Sequence, residues 1–501
     1  MGTLNETNPS LWVSDTLGAP RYGPLGRDHK VDVAVVGAGI TGLTLARLLT
    51  AQGADVAIVD AGPVGAGVTG YTTAKVTSLH SLIYAALARS FGSEAAAVYA
   101  TANEAAIRKI ADLVAADGID CQLEPAPAFT YTRDADQVEA IEGEVAAALA
   151  AGLPASFTTE TELPYDVLGA IRVEDQAQFH PRRFCLGLAE GIVGDGGSVY
   201  ERTRALELDG RTLVTDRSRL TADAVVVTTH IPFLDAGGYF SRMEPKRSYA
   251  VAARVRGDRP RGMYFSVDQP SRSIRSTTEG WLVLGGEGHK VGHDDDTTRR
   301  YAALEAWAAE QFDIGPIEHR WSAQDYVSAD RLPFVGRIPG HDGAFVATGF
   351  GKWGMTNGVA AAMILSDLVQ GRDNPWAATF DSTRVALKQE VKEVVTATVD
   401  VAKRFVGDRL ASVRSPEADE LAPGTGGIVT LDGDTVAAFR DDDGTLHALS
   451  PTCTHLGCRV SFNSAERSWD CPCHGSRFDV DGQVIQGPAT KDLLPKGLDA
   501  G

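Results

Sequence analysis

Residues 31–60 constrain this chain more than any other stretch. Val31-Asp32-Val33-Ala34-Val35-Val36 is a short apolar run bounded by turn chemistry, and it reads as a buried parallel strand. Gly37-Ala38-Gly39-Ile40-Thr41-Gly42 follows at once, and Leu43 to Leu49 continue at helical spacing. A second strand, Asp55 to Val59, ends on Asp60, 18 positions after Gly42. Gly37 permits the tight turn, Gly39 lets the backbone approach a diphosphate, and Gly42 lets the helix pack on the strand. N–H groups at the helix start then face the diphosphate, and Asp60 takes the ribose hydroxyls. An accidental Gly-rich turn would lack this strand–turn–helix–strand setting. A dinucleotide-binding domain is expected, and 501 residues leave room for one or two more.

The dinucleotide is identified by segments further along. Gly65-Ala66-Gly67-Val68-Thr69-Gly70-Tyr71-Thr72-Thr73-Ala74-Lys75 is a small, hydroxyl-rich loop. Asp330 to Arg337 precede a strand, Ala344 to Thr348, and Gly349-Phe350-Gly351-Lys352-Trp353-Gly354-Met355-Thr356 opens an Ala-rich helix to Leu368. That second glycine turn could serve NADH, but no strand ending in an acid follows; the chain runs into Gly371-Arg372-Asp373-Asn374-Pro375. Together these segments resemble the FAD-dependent oxidoreductases of the D-amino-acid oxidase type, which include glycine and sarcosine oxidases. The resemblance implies FAD, held by Gly37, Ala38, Gly39, Thr41, Gly42, Asp60, Thr69 and Lys75. Gly349, Gly351, Lys352, Gly354, Met355 and Thr356 would close the flavin site, with a positive helix end facing the reduced ring.

The same resemblance implies an α/β Rossmann-like FAD domain made of residues 31–80, 161–235 and 321–372, after an N-terminal arm at 1–30. An α+β substrate domain with an antiparallel sheet would take 81–160 and 236–320. Amino-acid oxidases of this type place an Arg shortly before the Asp-x-x-Pro motif to grip a substrate carboxylate. Here Asp325 stands nearest, which suits an ammonium rather than a carboxylate unless it is a solvated loop residue. Tyr249 and Arg275 are weaker pocket candidates, with Lys246 and Arg247. His289, His293 and Asp294 to Asp296 look briefly like a metal site, but Gly292 and the Asp run point to a loop with a helix cap.

Near the C-terminus lie Cys453-Thr454-His455-Leu456-Gly457-Cys458 and Cys471-Pro472-Cys473-His474-Gly475-Ser476. Cys and His pairs at short spacing suit tetrahedral zinc, but zinc has no need of the second Cys in each loop. Motif for motif the two loops resemble the Rieske proteins of cytochrome bc-type complexes. That resemblance implies a [2Fe-2S] cluster with Cys453 and Cys471 on one iron and His455 and His474 on the other. It also implies a disulfide between Cys458 and Cys473, and a covering loop at Gly487-Pro488-Ala489. Cys121 and Cys185 stand apart and read as buried thiols.

A connecting helix is expected over 380–411, a linker over 412–425 and a small all-β Rieske domain over 426–501. A net charge of −19 argues against a nucleic-acid partner, and no apolar run is long enough to span a membrane. The polar N-terminus lacks a leader pattern, so a cytoplasmic location is expected, with the disulfide as a sheltered exception. The combined resemblance implies an oxidoreductase acting on an amine or amino compound, with electrons passing from FADH₂ through the cluster to an external acceptor. The alternatives are an O₂-using oxidase with an accessory cluster, and a redox sensor or carrier without small-molecule turnover.

Phe478 stands where high-potential Rieske members carry Tyr, so one hydrogen bond to a ligand sulfur is missing, while Ser476 still offers its hydroxyl. A redox titration is expected to place this cluster below the respiratory high-potential centres, and Phe478→Tyr is expected to raise its midpoint.

Overall fold

The computed structural model describes residues 8–294, 296–384 and 416–496. Of the helix expected over 380–411, all but 380–384 lies outside the described residues. The elements that position the site are, in chain order, β1 (His29–Val36), α1 (Ile40–Thr50), β2 (Val56–Val59), α2 (Ser93–Asp117), β3 (Met243–Val255), β4 (Trp281–Lys290), α3 (Thr298–Gln311), β5 (Ile314–Ser328) and α4 (Gly354–Val369).

The apolar run of β1 pairs in parallel on both sides. Val33 lies opposite Val56 of β2 and opposite Ala224 of the strand Arg219–Val227. Parallel strands Ser198–Tyr200 and Ala344–Thr348 extend this sheet outward. A strand flanked by strands and covered on both faces has no solvent side, which is why β1 and β2 read as continuous Val, Ile and Ala. Helices α1, α2 and α4 share one core with Val33, Val35 and Ile58. The α1–α4 crossing is close because residue 358 is glycine: a Cβ there would stand 2.6 Å from Thr41 Oγ1.

The second sheet is antiparallel around β3, with β5 hydrogen-bonded on one side and β4 on the other. Its period-two alternation divides the side chains cleanly. Ala250, Ala252, Val283 and Trp321 join the core shared with the nucleotide-binding layer. Tyr249, Val251, Leu282 and Leu284 point the other way, onto Tyr301, Leu304 and Ala308 of α3.

The expected domain boundaries shift in three places. The strand Gly169–Val173, expected in the FAD domain, pairs with Ala128–Thr132 in the antiparallel sheet. β5 stays with that sheet through Ser328 rather than leaving it at 321, because Met243 pairs with Ser328 at its far end. Conversely α2, expected in the substrate domain, packs on α4. In each case the hydrogen-bonding or packing partner comes from a distant segment, and local patterning carries no record of it.

The C-terminal domain has a three-stranded antiparallel sheet (Gly426–Leu431, Asp434–Arg440, Leu446–Leu449) and a four-stranded one ending in Arg477–Phe478 and Val484–Gln486. The described part of the expected linker belongs to this domain. Ala418 is buried in its core, and Glu417 bridges to Thr430.

A Cβ on residue 42 would lie 2.0 Å from the carbonyl oxygen of Gly37, a backbone atom pinned between β1 and β2. Gly42→Ala is therefore expected to cost about 1–3 kcal/mol of stability. It should also purify with less bound flavin, as read by thermal melting and the visible spectrum.

Candidate redox site

The nucleotide cradle is built from the turn after β1. Gly37 adopts φ +114°, and its N–H donates to Val59 O at 2.8 Å. Thr228 Oγ1 donates to Val36 O at 2.9 Å, bracing the turn from the neighbouring strand. α1 starts at Gly39 with no side-chain cap. Thr69 Oγ1 accepts the Ile40 N–H at 3.2 Å, which places Thr69 against the helix end. Asp60 accepts the N–H groups of Ala38 and Gly62, each at 2.7 Å. Burial raises its pKa and these two donors oppose the shift. Each carboxylate oxygen keeps a second lone pair for a ribose hydroxyl, so the turn and its acid fit a dinucleotide.

The second glycine turn faces the antiparallel sheet. Gly349, Gly351 and Lys352 all have positive φ, and α4 begins at Gly354 without a side-chain cap. Met355 and Thr356 are buried in its first turn, and Thr356 Oγ1 donates to Thr77 O at 2.8 Å. Lys352 Nζ donates to Ser248 Oγ of β3 at 2.7 Å. Desolvation and then the Lys246 charge lower the Lys352 pKa, although the side chain keeps contact with solvent. Lys75 is buried, hydrogen-bonded to Ser273, and its pKa is lowered by desolvation and by the Arg275 charge.

The pocket candidates land elsewhere than expected. Asp325 is neither a solvated loop residue nor a free carboxylate; it is buried in β5. Its Oδ2 accepts the Lys352 N–H at 2.7 Å, and its Oδ1 accepts from Tyr326 N at 2.7 Å and His230 Nε2 at 2.9 Å. Those donors brace the second glycine turn and leave the acid little to offer an ammonium. Tyr249 lies on the face of the sheet turned away from the nucleotide layer, stacked on His289 at 5.7 Å and edge-on to Tyr301 at 4.9 Å. Arg275 is buried and donates to the carbonyls of Thr73, Ala74 and Phe179, which ties the Gly65–Lys75 loop down. Lys246 pairs with Glu244 at 3.1 Å. His289 lies at the end of β4, and in the loop that follows Asp294 is held by Arg299 at 3.0 Å and Arg300 at 2.5 Å.

The two Cys–His loops are conformational copies. Cys453 N donates to Cys458 O and Gly457 N to Cys453 O; Cys471 N donates to Ser476 O and Gly475 N to Cys471 O. Gly457 and Gly475 share nearly the same conformation, at φ +78° and +76°. Cys458 and Cys473 are disulfide-bonded, and their sulfurs lie within 4.8 Å of Cys471 Sγ. Cys453 and Cys471 are free and buried. A hydrogen bond from Cys471 lowers the Cys453 pKa, which favours the thiolate at that sulfur. His455 and His474 stand 5.1 Å apart with their rings at 88°. Burial lowers the His474 pKa to about 4, which keeps it in the neutral form that ligates metal. His455 Nδ1 is buried with no hydrogen-bond partner. An orphaned imidazole nitrogen beside two paired thiols fits a [2Fe-2S] cluster with mixed ligands. Phe478 is fully buried, and Ser476 Oγ accepts from Ala489 N at 3.1 Å.

The second of these loops is pressed onto the antiparallel sheet. A Cβ on Gly475 would lie 2.6–2.8 Å from Gln324, Pro245 and Tyr326. Gln324 Nε2 donates to Gly475 O at 2.7 Å. Tyr326 Oη lies 3.2 Å from His474 O, 3.4 Å from Gly475 O and 3.3 Å from Gly487 O. Gln324 and Tyr326 flank Asp325 in sequence and belong to no motif. No local signal distinguishes them, because their partners lie about 150 residues away.

A family model for FAD dependent oxidoreductases matches residues 32–368, and one for the Rieske [2Fe-2S] domain matches 412–496. Over 503 aligned residues the chain is 38% identical to the Rieske 2Fe-2S iron-sulfur protein YhfW of Bacillus subtilis (strain 168), covering 99% of this chain and 98% of that protein. Residues of the C-terminal part are 46% identical to a tobacco (Nicotiana tabacum) chloroplast cytochrome b6-f complex iron-sulfur subunit over 65 positions, 13% of this chain and 28% of that one. The fold resembles the crystal structure of glycine oxidase from Geobacillus kaustophilus, with TM-score 0.62 and 19% identity over 72% of this chain and 100% of that one. L-proline dehydrogenase from P. horikoshii aligns with TM-score 0.58 and 17% identity, over 71% of this chain and 98% of that one. The chain thus belongs to the FAD-dependent oxidoreductase family of the D-amino-acid oxidase type, carries a C-terminal Rieske [2Fe-2S] domain, and has FAD and the cluster as its cofactors.

Proposed function

We propose that this protein is a dehydrogenase for an amine or amino compound, in which the flavin and the cluster work in series toward an external acceptor. When bound, the flavin takes two electrons from a C–N centre as a hydride equivalent, and the cluster takes electrons one at a time. The observation that carries the reading is a pair of adjacent residues in β5. Asp325 accepts the Lys352 N–H in the turn that opens α4, and Tyr326 places its hydroxyl on the carbonyl of His474. One peptide unit therefore reaches both cofactor sites.

The chain's own groups support the substrate class. The uncapped start of α4 offers a positive helix end that would stabilise negative charge on the reduced ring of a flavin bound there. With Asp325 engaged by three donors, Lys352 is the ionic group best placed for substrate, held at Ser248 across the turn. That favours an amino compound bearing an acidic group over a simple amine. Glycine oxidase and L-proline dehydrogenase, which share the fold, are named for amino acids of that kind.

An anaerobic titration of the holoprotein with amines, amino acids and NADH tests the reading. Flavin bleaching by an amino compound, followed by reduction of the cluster, is the expected result; reduction by NADH alone would overturn it. His455→Ala is expected to abolish turnover with acceptors reached through the cluster. Undiminished O₂ consumption in that variant would instead mark an oxidase. Lys352 loses its charge at a lower pH than an ordinary lysine. KM for an acidic amino compound is therefore expected to climb on the alkaline side as that charge is lost. Lys352→Met should show a high, pH-independent KM with flavin still bound.

A further inference from the structure

The connection between the strand Arg219–Val227 and β3 carries none of the sequence motifs, yet three of its side chains end on the cluster-binding domain. His230, at φ +69°, donates from Nε2 to Asp325 at 2.9 Å and meets Gln486 Nε2 through Nδ1 at 3.0 Å. Asp235 Oδ1 lies 3.0 Å from His455 Nε2. Phe240 stands edge-on to both imidazoles, 5.1 Å from His455 and 4.9 Å from His474. Gln486 immediately precedes the Gly487-Pro488-Ala489 loop, so the contacts bracket the cluster site from two sides.

We propose that residues 230–240 form a clasp that closes the imidazole edge of the cluster against the flavin-binding half of the chain, with Asp235 as the positioning residue for His455. The two nitrogens of His455 have different surroundings. Nδ1 is buried without a partner, while Nε2 faces the carboxylate. A carboxylate accepts from an N–H, so Asp235 fixes the tautomer with the proton on Nε2 and frees Nδ1 to ligate iron. It also adds a negative charge beside one ligand, which favours the oxidised cluster. No carboxylate lies in hydrogen-bonding contact with His474 among the described residues, so the two imidazoles are not equivalent. Phe240 covers the rings that Asp235 orients, and the His455 side chain is only 6% exposed although Asp235 itself is 65% exposed. The imidazole edge is thus closed to an outside acceptor, and an acceptor of the redox-protein or quinone class approaches the cluster across a different face.

Two measurements on the full-length holoprotein test this, with flavin content as the common control. In Asp235→Asn the amide keeps an acceptor oxygen but loses the charge. Its cluster is expected to show a raised midpoint potential and altered nitrogen couplings at one imidazole in the electron paramagnetic spectrum. An unchanged potential and spectrum would overturn the positioning role. Diethyl pyrocarbonate, which attacks an accessible imidazole nitrogen, is expected to label His455 several-fold faster in Asp235→Ala and in Phe240→Ala than in the wild type, as read by peptide mass. Equal and rapid labelling of the wild type would overturn the closed edge. If Asp235→Ala does not retain its cluster, Phe240→Ala decides the second measurement and Asp235→Asn the first.

Discussion

The seam between the flavoprotein and the cluster domain turns on one buried guanidinium. Arg247 projects from β3 with 1% of its side chain exposed, donates to Ser322 at 2.7 Å and Gln324 at 3.3 Å, and faces Asp470 of the cluster domain at 3.4 Å. Asp470 is buried too. Despite its desolvation, Arg477 and Arg247 hold its pKa down to about 2. A pair like this gains little over a well-packed apolar contact, but losing one partner strands a charge, at a cost of about 3–5 kcal/mol. It disfavours other seatings of the domain, because one that buried Arg247 without Asp470 would leave a desolvated cation unpaired. Thr297 with Asn463 and Tyr301 with Glu466 extend the same seam along α3.

β5 converts that docking into a relation between cofactors. Because successive side chains in a strand point to opposite faces, Trp321 enters the core shared with the nucleotide layer, while Ser322, Gln324 and Tyr326 face the cluster domain. Asp325 lies between Gln324 and Tyr326 and holds the turn that starts α4. A single β-strand thus touches both the turn that starts α4 and the second Cys–His loop. The glycine of the second Cys–His loop belongs to this geometry. A side chain at Gly475 would collide with Gln324 and Tyr326 and hold the domain away.

Both cofactor-binding motifs were legible in sequence because each is local. The turn after β1 needs glycine at positions where a Cβ would strike backbone, and the two Cys–His loops need glycine at matching positive φ. Such demands are met within a few residues and leave a readable trace. The pocket was not legible. Asp325 was singled out for its charge, but the donors that engage it come from the turn at 352 and the loop at 230. Tyr249 and Arg275 carry suitable chemistry, yet strand alternation turns the first toward α3, and the second is consumed by three backbone carbonyls. Sheet membership at 169–173 and 314–328 depended on remote strands in the same way.

The sequence by itself determined which cofactors this chain holds and in which short segments their motifs lie. Backbone clearance for a diphosphate and donor chemistry for iron are properties of short segments, fixed by residue type and spacing. Tertiary structure alone decided how the two sites face each other. The partners in that relation, Arg247 with Asp470, Tyr326 with His474 and Asp235 with His455, are separated by 148 to 223 positions. Their pairing follows from which strand faces pack together, and a buried charge or hydroxyl finds its partner only after that packing is complete.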